Sequence, residues 1–190
     1  SRLTLGSHIF AGTSLSTLMI ECKELIICKH CFSNCLSLQD INFKQIIKIV
    51  MASKAFKKCK NLEKIAIKKA SEIQIGNECF YNLDKLKSLR LSSDSITFGD
   101  NFIKGCSSLT SLKIKSINNI IVQSNMFDDC KMLKDIKFDT LSRLKLCDGC
   151  LKQLKNIENI EIISNHFDTY GSFCFQNCST LKKLILNLKK

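Results

Sequence analysis

The stretch Phe56-Lys-Lys-Cys59-Lys-Asn-Leu62-Glu-Lys-Ile65-Ala-Ile67 is one instance of a pattern that fills the chain. With its phenylalanine counted as position 0, Cys stands at +3, Leu at +6 and Ile at +9 and +11. FSNCLSLQDINF from Phe32, FDDCKMLKDIKF from Phe127 and FQNCSTLKKLIL from Phe175 repeat it, and the template also fits at Ile9, Phe80, Ile103 and Leu151. The eight anchors lie 23, 24, 24, 23, 24, 24 and 24 residues apart. A register held that closely marks internal repetition.

The firmest columns are +9 and +11: Leu18/Ile20, Ile41/Phe43, Ile65/Ile67, Leu89/Leu91, Leu112/Ile114, Ile136/Phe138, Ile160/Ile162 and Leu184/Leu186. Alternation of apolar with polar residues predicts a short, half-buried strand in every repeat. A second alternating pair at −7 and −5 runs from Leu25/Ile27 through Ile73/Ile75 to Leu144/Leu146 and is blurred in the first and last repeats. Between the pairs, apolar or small residues at −1, +3 and +6 have the spacing of one face of a helical turn. Each repeat therefore reads as strand, short helical turn, strand. A unit this small cannot bury its apolar face alone, so neighbours must stack into a solenoid with parallel ladders.

The chain has 190 residues, 45% of them hydrophobic and 24% charged, which suits one globular domain spanning 1–190. It has no proline and 7 glycines, so no linker divides it. No apolar run approaches the roughly 18 residues of a membrane span. The final strand LILNLKK lacks a polar capping unit, and the expectation is a piece of a longer array.

LEKIAI, with its siblings LKSLRL, LTSLKI, LKDIKF and LKKLIL, resembles the LxxLxL core of leucine-rich repeats, and IQIGNECFYNL from Ile73 to Leu83 resembles the BspA-like class. The resemblance covers the whole chain. It implies a right-handed superhelical solenoid of about eight repeats of 23–24 residues with a parallel concave sheet. It also implies a non-enzymatic binding surface, often on secreted or cell-surface proteins involved in adhesion. Two features depart from the pattern: the proline after the strand is missing, and the asparagine that follows LxxLxL elsewhere survives only at Asn165. The second departure argues against the type with full convex helices.

CKHCFSNC, residues 28–35, has the ligand types of a zinc site. Column by column the reading changes. Cys35, Cys59, Cys106, Cys130 and Cys178 all occupy +3; Cys31, Cys79, Cys150 and Cys174 occupy −1; Cys28 and Cys147 occupy −4, where Ala52 and Gly76 stand elsewhere. Eleven of the twelve cysteines are thus small, apolar structural residues, with Cys22 alone outside the columns. The expectation is reduced thiols, no metal and no cofactor. His8, His30 and His166 surround no nucleophile pattern, and no Gly-rich phosphate loop is present, so the chain does not read as an enzyme.

The informative surface is the outward side of the LxxIxI strands. In repeats three to five it carries Lys64, Lys68, Arg90, Lys113 and Lys115 with no acid, whereas Asp40, Asp135, Asp139 and Glu161 interrupt it on either side. This stripe is the candidate binding site, suited to an acidic protein or glycan. A solvated polar face that keeps the sheet from aggregating is the plainer alternative. A second class of function, an intracellular scaffold or a nucleic-acid-binding repeat protein, draws on the net charge of +12. It is weakened by the absence of exposed aromatics for base stacking.

Overall fold

A computed structural model describes residues 1–169 and 171–188. Its strands, numbered in chain order, form the two long faces of a parallel solenoid of eight turns. The front face is built from β2 (Thr17–Glu21), β4 (Asp40–Lys44), the first half of β6 (Lys64–Ile75), the first half of β7 (Ser88–Phe98), β8 (Ser111–Ser116), β10 (Asp135–Thr140), β12 (Asn159–Ser164) and β14 (Lys183–Leu188). The rear face is built from β1 (Arg2–Leu5), β3 (Glu24–Ile27), β5 (Lys48–Met51), the second halves of β6 and β7, β9 (Ile120–Val122), β11 (Arg143–Leu146) and β13 (His166–Thr169).

The predicted alternation sets what faces inward. In β8, Leu112 and Ile114 are buried while Lys113 and Lys115 are exposed, and β10 and β12 bury Ile136, Phe138, Ile160 and Ile162 in the same rows. Burial of each such side chain contributes about 1.5–3 kcal/mol. The anchors add an aromatic spine: Phe10 stacks on Phe32 at 5.2 Å, Phe32 on Phe56 at 5.1 Å, and Phe56 tilts against Phe80 at 5.9 Å.

The stack corrects the first anchor. Ile9 is 57% exposed, whereas Phe10 packs against the core. Taking Phe10 as position 0 also puts Leu3 and Leu5 in the rear columns, where they pair with Leu25 and Ile27. The first strand pair is therefore regular.

The connecting turns are not helical, contrary to the sequence reading; no helix occurs among the described residues. Each turn segment instead holds left-handed residues at −2 and +2, as at His30 and Asn34, Lys54 and Lys58, and Glu78 and Asn82. Two residues of opposite hand in every five stop a helix from propagating. N–H groups at −2, 0 and +2 are freed to donate to the next turn: His30 to Ser53, Phe32 to Ala55 and Asn34 to Lys57, at 3.2, 2.8 and 2.9 Å. Within the segment, i to i+3 bonds such as Cys59 N–H to Phe56 C=O close turns with a left-handed third residue, the type II geometry.

Cysteine has a defined place in this ladder. The +3 thiols donate to the anchor carbonyl one turn back: Cys35 to Phe10 at 3.0 Å, Cys106 to Phe80 at 3.1 Å, Cys130 to Ile103 at 3.4 Å and Cys178 to Leu151 at 3.0 Å. All twelve cysteines are free thiols. Cys22 also has a column. It shares the front-to-rear corner with Ile46, Ala70, Ser93, Ser116, Thr140 and Ser164, all buried. There the hydroxyls turn inward onto corner carbonyls, Ser116 to Asp94 at 3.2 Å and Ser164 to Ser142 at 3.0 Å, and the Cys22 thiol reaches Glu24 C=O at 3.4 Å.

Candidate functional site

Parallel register decides which outward side chains meet. Ala66, Arg90, Lys113, Lys137 and Glu161 are successive partners across β6, β7, β8, β10 and β12. Neighbouring strands lie about 4.8 Å apart, so Arg90, Lys113 and Lys137 form one row of adjacent cations. Lys64 lies in a different row, opposite Ser88 and then Ser111, and reaches Arg90 only diagonally. Lys68 falls in the irregularity between Ile67 and Ala70, where the ladder of β6 and β7 shifts by one residue. Lys115 faces Ser92 on one side and Asp139 on the other.

The charges around the row are organised turn against turn. Lys57 meets Glu78 at 2.6 Å, Lys104 meets Asp128 at 3.2 Å and Arg143 meets Asp168 at 3.1 Å, each pair bridging adjacent turns. The same arrangement neutralises part of the stripe. Lys115 pairs with Asp139 at 3.6 Å, and Lys137 with Glu161 at 2.9 Å. Lys64, Lys68, Arg90 and Lys113 are exposed and make no ion pair among the described residues. Sequence reading missed Lys137 because Asp135 and Asp139 flank it; its shared +10 position with Arg90 and Lys113 was the available signal.

Two concavities hold Lys64, Lys68, Lys113 and Lys137. One of ≈ 620 Å³ is lined by Met19, Asp40, Phe43, Lys64, Ala66 and Lys68. It lies where β4 and β6 carry no strand pairing, β2 and β4 forming a separate two-stranded sheet. The other, of ≈ 450 Å³, runs from Lys113 past Lys137 and Glu161 to Lys183. Both are open troughs between outward side chains of mixed charge, Asp40 lining the first and Asp135 and Glu161 the second.

The cysteine and histidine residues of 28–35 are arranged otherwise. Cys31 and Cys35 are fully buried, burial pushes the Cys31 thiol up to about 12, and the Cys35 thiol donates to Phe10. His30 stacks on His8 at 4.8 Å with the rings 11° from parallel. Parallel imidazoles do not converge on a common point. Among the described residues no group of three or more His, Cys, Asp or Glu converges. None forms a helix long and apolar enough to cross a membrane.

Comparison with known proteins agrees with the geometry. A family model described as BspA type leucine rich repeat region (6 copies) matches residues 3–134 and 118–190. Among solved structures, the chain is similar to a leucine-rich repeat protein from Bacteroides ovatus ATCC 8483, with a TM-score of 0.66 and 20% identity. The match covers 95% of this chain and 51% of that one, so this chain spans about half the length of that structure. The likeness at this identity is one of fold. No curated protein matches the chain.

Proposed function

The chain belongs to the BspA type leucine-rich repeat family, and from that premise we propose that it is an interaction module without catalytic activity, presenting its front sheet to an acidic protein or glycan, in the setting of a cell-surface adhesion protein. The observation that carries the reading is the register Arg90↔Lys113. Two cations are held side by side with no acid against either, although elsewhere the solenoid places a carboxylate opposite a lysine turn after turn. Like charges at that spacing repel, a cost of a few tenths of a kcal/mol to about 1 when exposed and screened. An acidic ligand would remove it. Lys64 and Lys68 extend the positive surface on the N-terminal side, and on the other it ends at Lys137, which Glu161 pairs.

The test compares the wild type with the double variant Arg90→Ser/Lys113→Ser against a heparin oligosaccharide, an acidic peptide and duplex DNA. Weakening of the glycan or the peptide by about three- to tenfold is expected, together with a shallower salt dependence. The melting temperature should be unchanged or slightly raised, because neither side chain is in the core and their mutual repulsion is removed. Equal binding by both proteins would remove the row as a functional surface. Tighter binding of DNA than of either other probe would favour the nucleic-acid reading instead.

A further inference from the structure

On the rear face the strand ladder stops between β7 and β9. The rear half of β7 pairs with β6 from Ser95↔Glu72 to Phe98↔Ile75, and β9 pairs with β11 from Ile120↔Leu144 to Val122↔Leu146. Between β7 and β9 there is no strand pairing among the described residues. The cause is legible in the corner. Two residues, Asp94 and Ser95, separate the corner residue Ser93 from the core residue Ile96. One turn later three residues, Ile117, Asn118 and Asn119, separate Ser116 from Ile120. The N–H groups of Ile117 and Asn118 both donate to the Asp94 carbonyl, at 3.2 and 2.9 Å, so the extra residue falls beyond this tie and displaces β9. Main-chain donors and acceptors facing each other across the break lose their ladder partners.

A concavity of ≈ 580 Å³ occupies the break. Its polar lining is Ser95, Thr97, Asn118, Asn119, Gln123 and Ser142, and no charged side chain contributes to it. Four other concavities of the solenoid all carry charge, through Lys64, Lys113, Lys152 and Asp94 among others. In a chain with 29 basic and 17 acidic residues, an uncharged groove is set apart chemically. One of its amides is also oriented. Asn119 Oδ1 accepts the Ser142 hydroxyl at 2.8 Å and the Arg143 N–H at 3.3 Å. The main-chain donor fixes which end of the amide is oxygen, leaving the Asn119 NH₂ as the group free to donate. Ile121, 43% exposed, supplies an apolar shelf beside these groups.

We propose that this break is a binding site for a neutral saccharide chain. Sugar hydroxyls both donate and accept, as the amide, hydroxyl and unpaired main-chain groups here require, and the C–H face of a pyranose ring suits an aliphatic shelf. An anionic ligand would meet no counter-charge in the groove. The site is on the face opposite the basic row and does not depend on it.

The test is an amide-resonance titration of the whole chain with maltohexaose, cellohexaose and mannohexaose. At least one should shift the signals of Thr97, Asn118, Asn119 and Ile121, with a dissociation constant of about 1 mM or tighter. The affinity should be the same at about 0.05 and 0.5 M salt, since no ion pair is formed. Thr97→Glu and, separately, Gln123→Ala should each weaken it at least about fivefold, the cost of a lost or desolvated hydrogen-bonding group. Arg90→Ser/Lys113→Ser should leave it unchanged, which separates this site from the front-sheet reading. No shift with any of the three sugars at about 10 mM would overturn the proposal, as would equal shifts in the Gln123→Ala protein.

Discussion

The thiol of Cys59 donates to the carbonyl oxygen of Phe32, 3.0 Å away and one turn earlier in the solenoid. Phe32 C=O also accepts the N–H of Cys35, so the thiol fills the second acceptor position of a buried carbonyl. A small residue with a weak, long-reaching donor suits that place better than Ala or Ser. Cys59→Ala is expected to lower unfolding free energy by about 1–3 kcal/mol, from the lost bond and the space left behind. Cys178→Ala should cost less, because that thiol is only partly buried. Urea midpoints decide it; an unchanged midpoint for Cys59→Ala would count against the carbonyl-capping role.

Thiol reactivity should follow burial. Burial pushes the Cys31 and Cys106 thiols up to about 12, so at pH 8 almost none of either is thiolate. Alkylation of the native chain at that pH, read by mass spectrometry, should mark Cys28, Cys147 and Cys178, the partly exposed three, and spare the rest for want of access, Cys35 included although a hydrogen bond with Cys59 holds its thiol down to about 6. In denaturant all twelve should react. Fast native labelling of Cys106 would contradict the packing.

The left-handed turn positions make a sharper stability prediction. Gly105 has φ +79, and a Cβ built there would sit 1.9 Å from Asn82 Oδ1 on the preceding turn. Gly105→Ala combines that clash with a backbone conformation costing an L-residue about 1–2 kcal/mol. Thermal unfolding should show a loss of about 1–2 kcal/mol, the backbone cost, since the Asn82 amide can rotate out of the way. At Lys58, exposed with φ 63, replacement by glycine should be neutral or slightly stabilising.

One ion pair gives a pH signature. A hydrogen bond from Lys57 holds the Glu78 carboxyl below its ordinary value. A depressed folded pKa stabilises the fold above the unfolded value of about 4.5, and the contribution disappears as pH falls through the lower, folded value. Glu78→Gln should therefore cost about 0.5–1 kcal/mol at pH 7, a cost that shrinks to nothing once acid has protonated the carboxyl in the folded state. A difference of the same size at pH 7 and in acid would show that the side chain acts through packing.

Much of this architecture was legible because period-2 alternation and a 24-residue register are both forced by strand stacking. Leu112/Ile114, Ile136/Phe138 and Ile160/Ile162 face inward and are buried. The choice between Ile9 and Phe10 was less visible, since both are apolar; the test that decides it is whether Leu3 and Leu5 then fall into the rear columns. The turn conformation was signalled too, by Gly12, Asn34, Asn82, Gly105, Asp129 and Asn177 at +2, residues that tolerate positive φ. Spacing of apolar residues alone mimics a helix there. The rear break was hidden because one extra residue at the corner changes the repeat length only within the 23–24 residue variation of the array. The pairing of Lys115 with Asp139 depends on which strands are neighbours, which no single repeat reveals.

The proposed contact surface for an acidic ligand is the row of Arg90 and Lys113, bounded by the Lys137–Glu161 pair. An amide-resonance titration with a heparin oligosaccharide at low salt tests it most directly. The account predicts that the largest shifts fall on residues 88–92, 111–115 and 135–139, the front strands that carry the row, and that they diminish as salt is raised. Shifts concentrated instead on the turn lysines Lys131, Lys152 and Lys155, with the front strands unmoved, would contradict it.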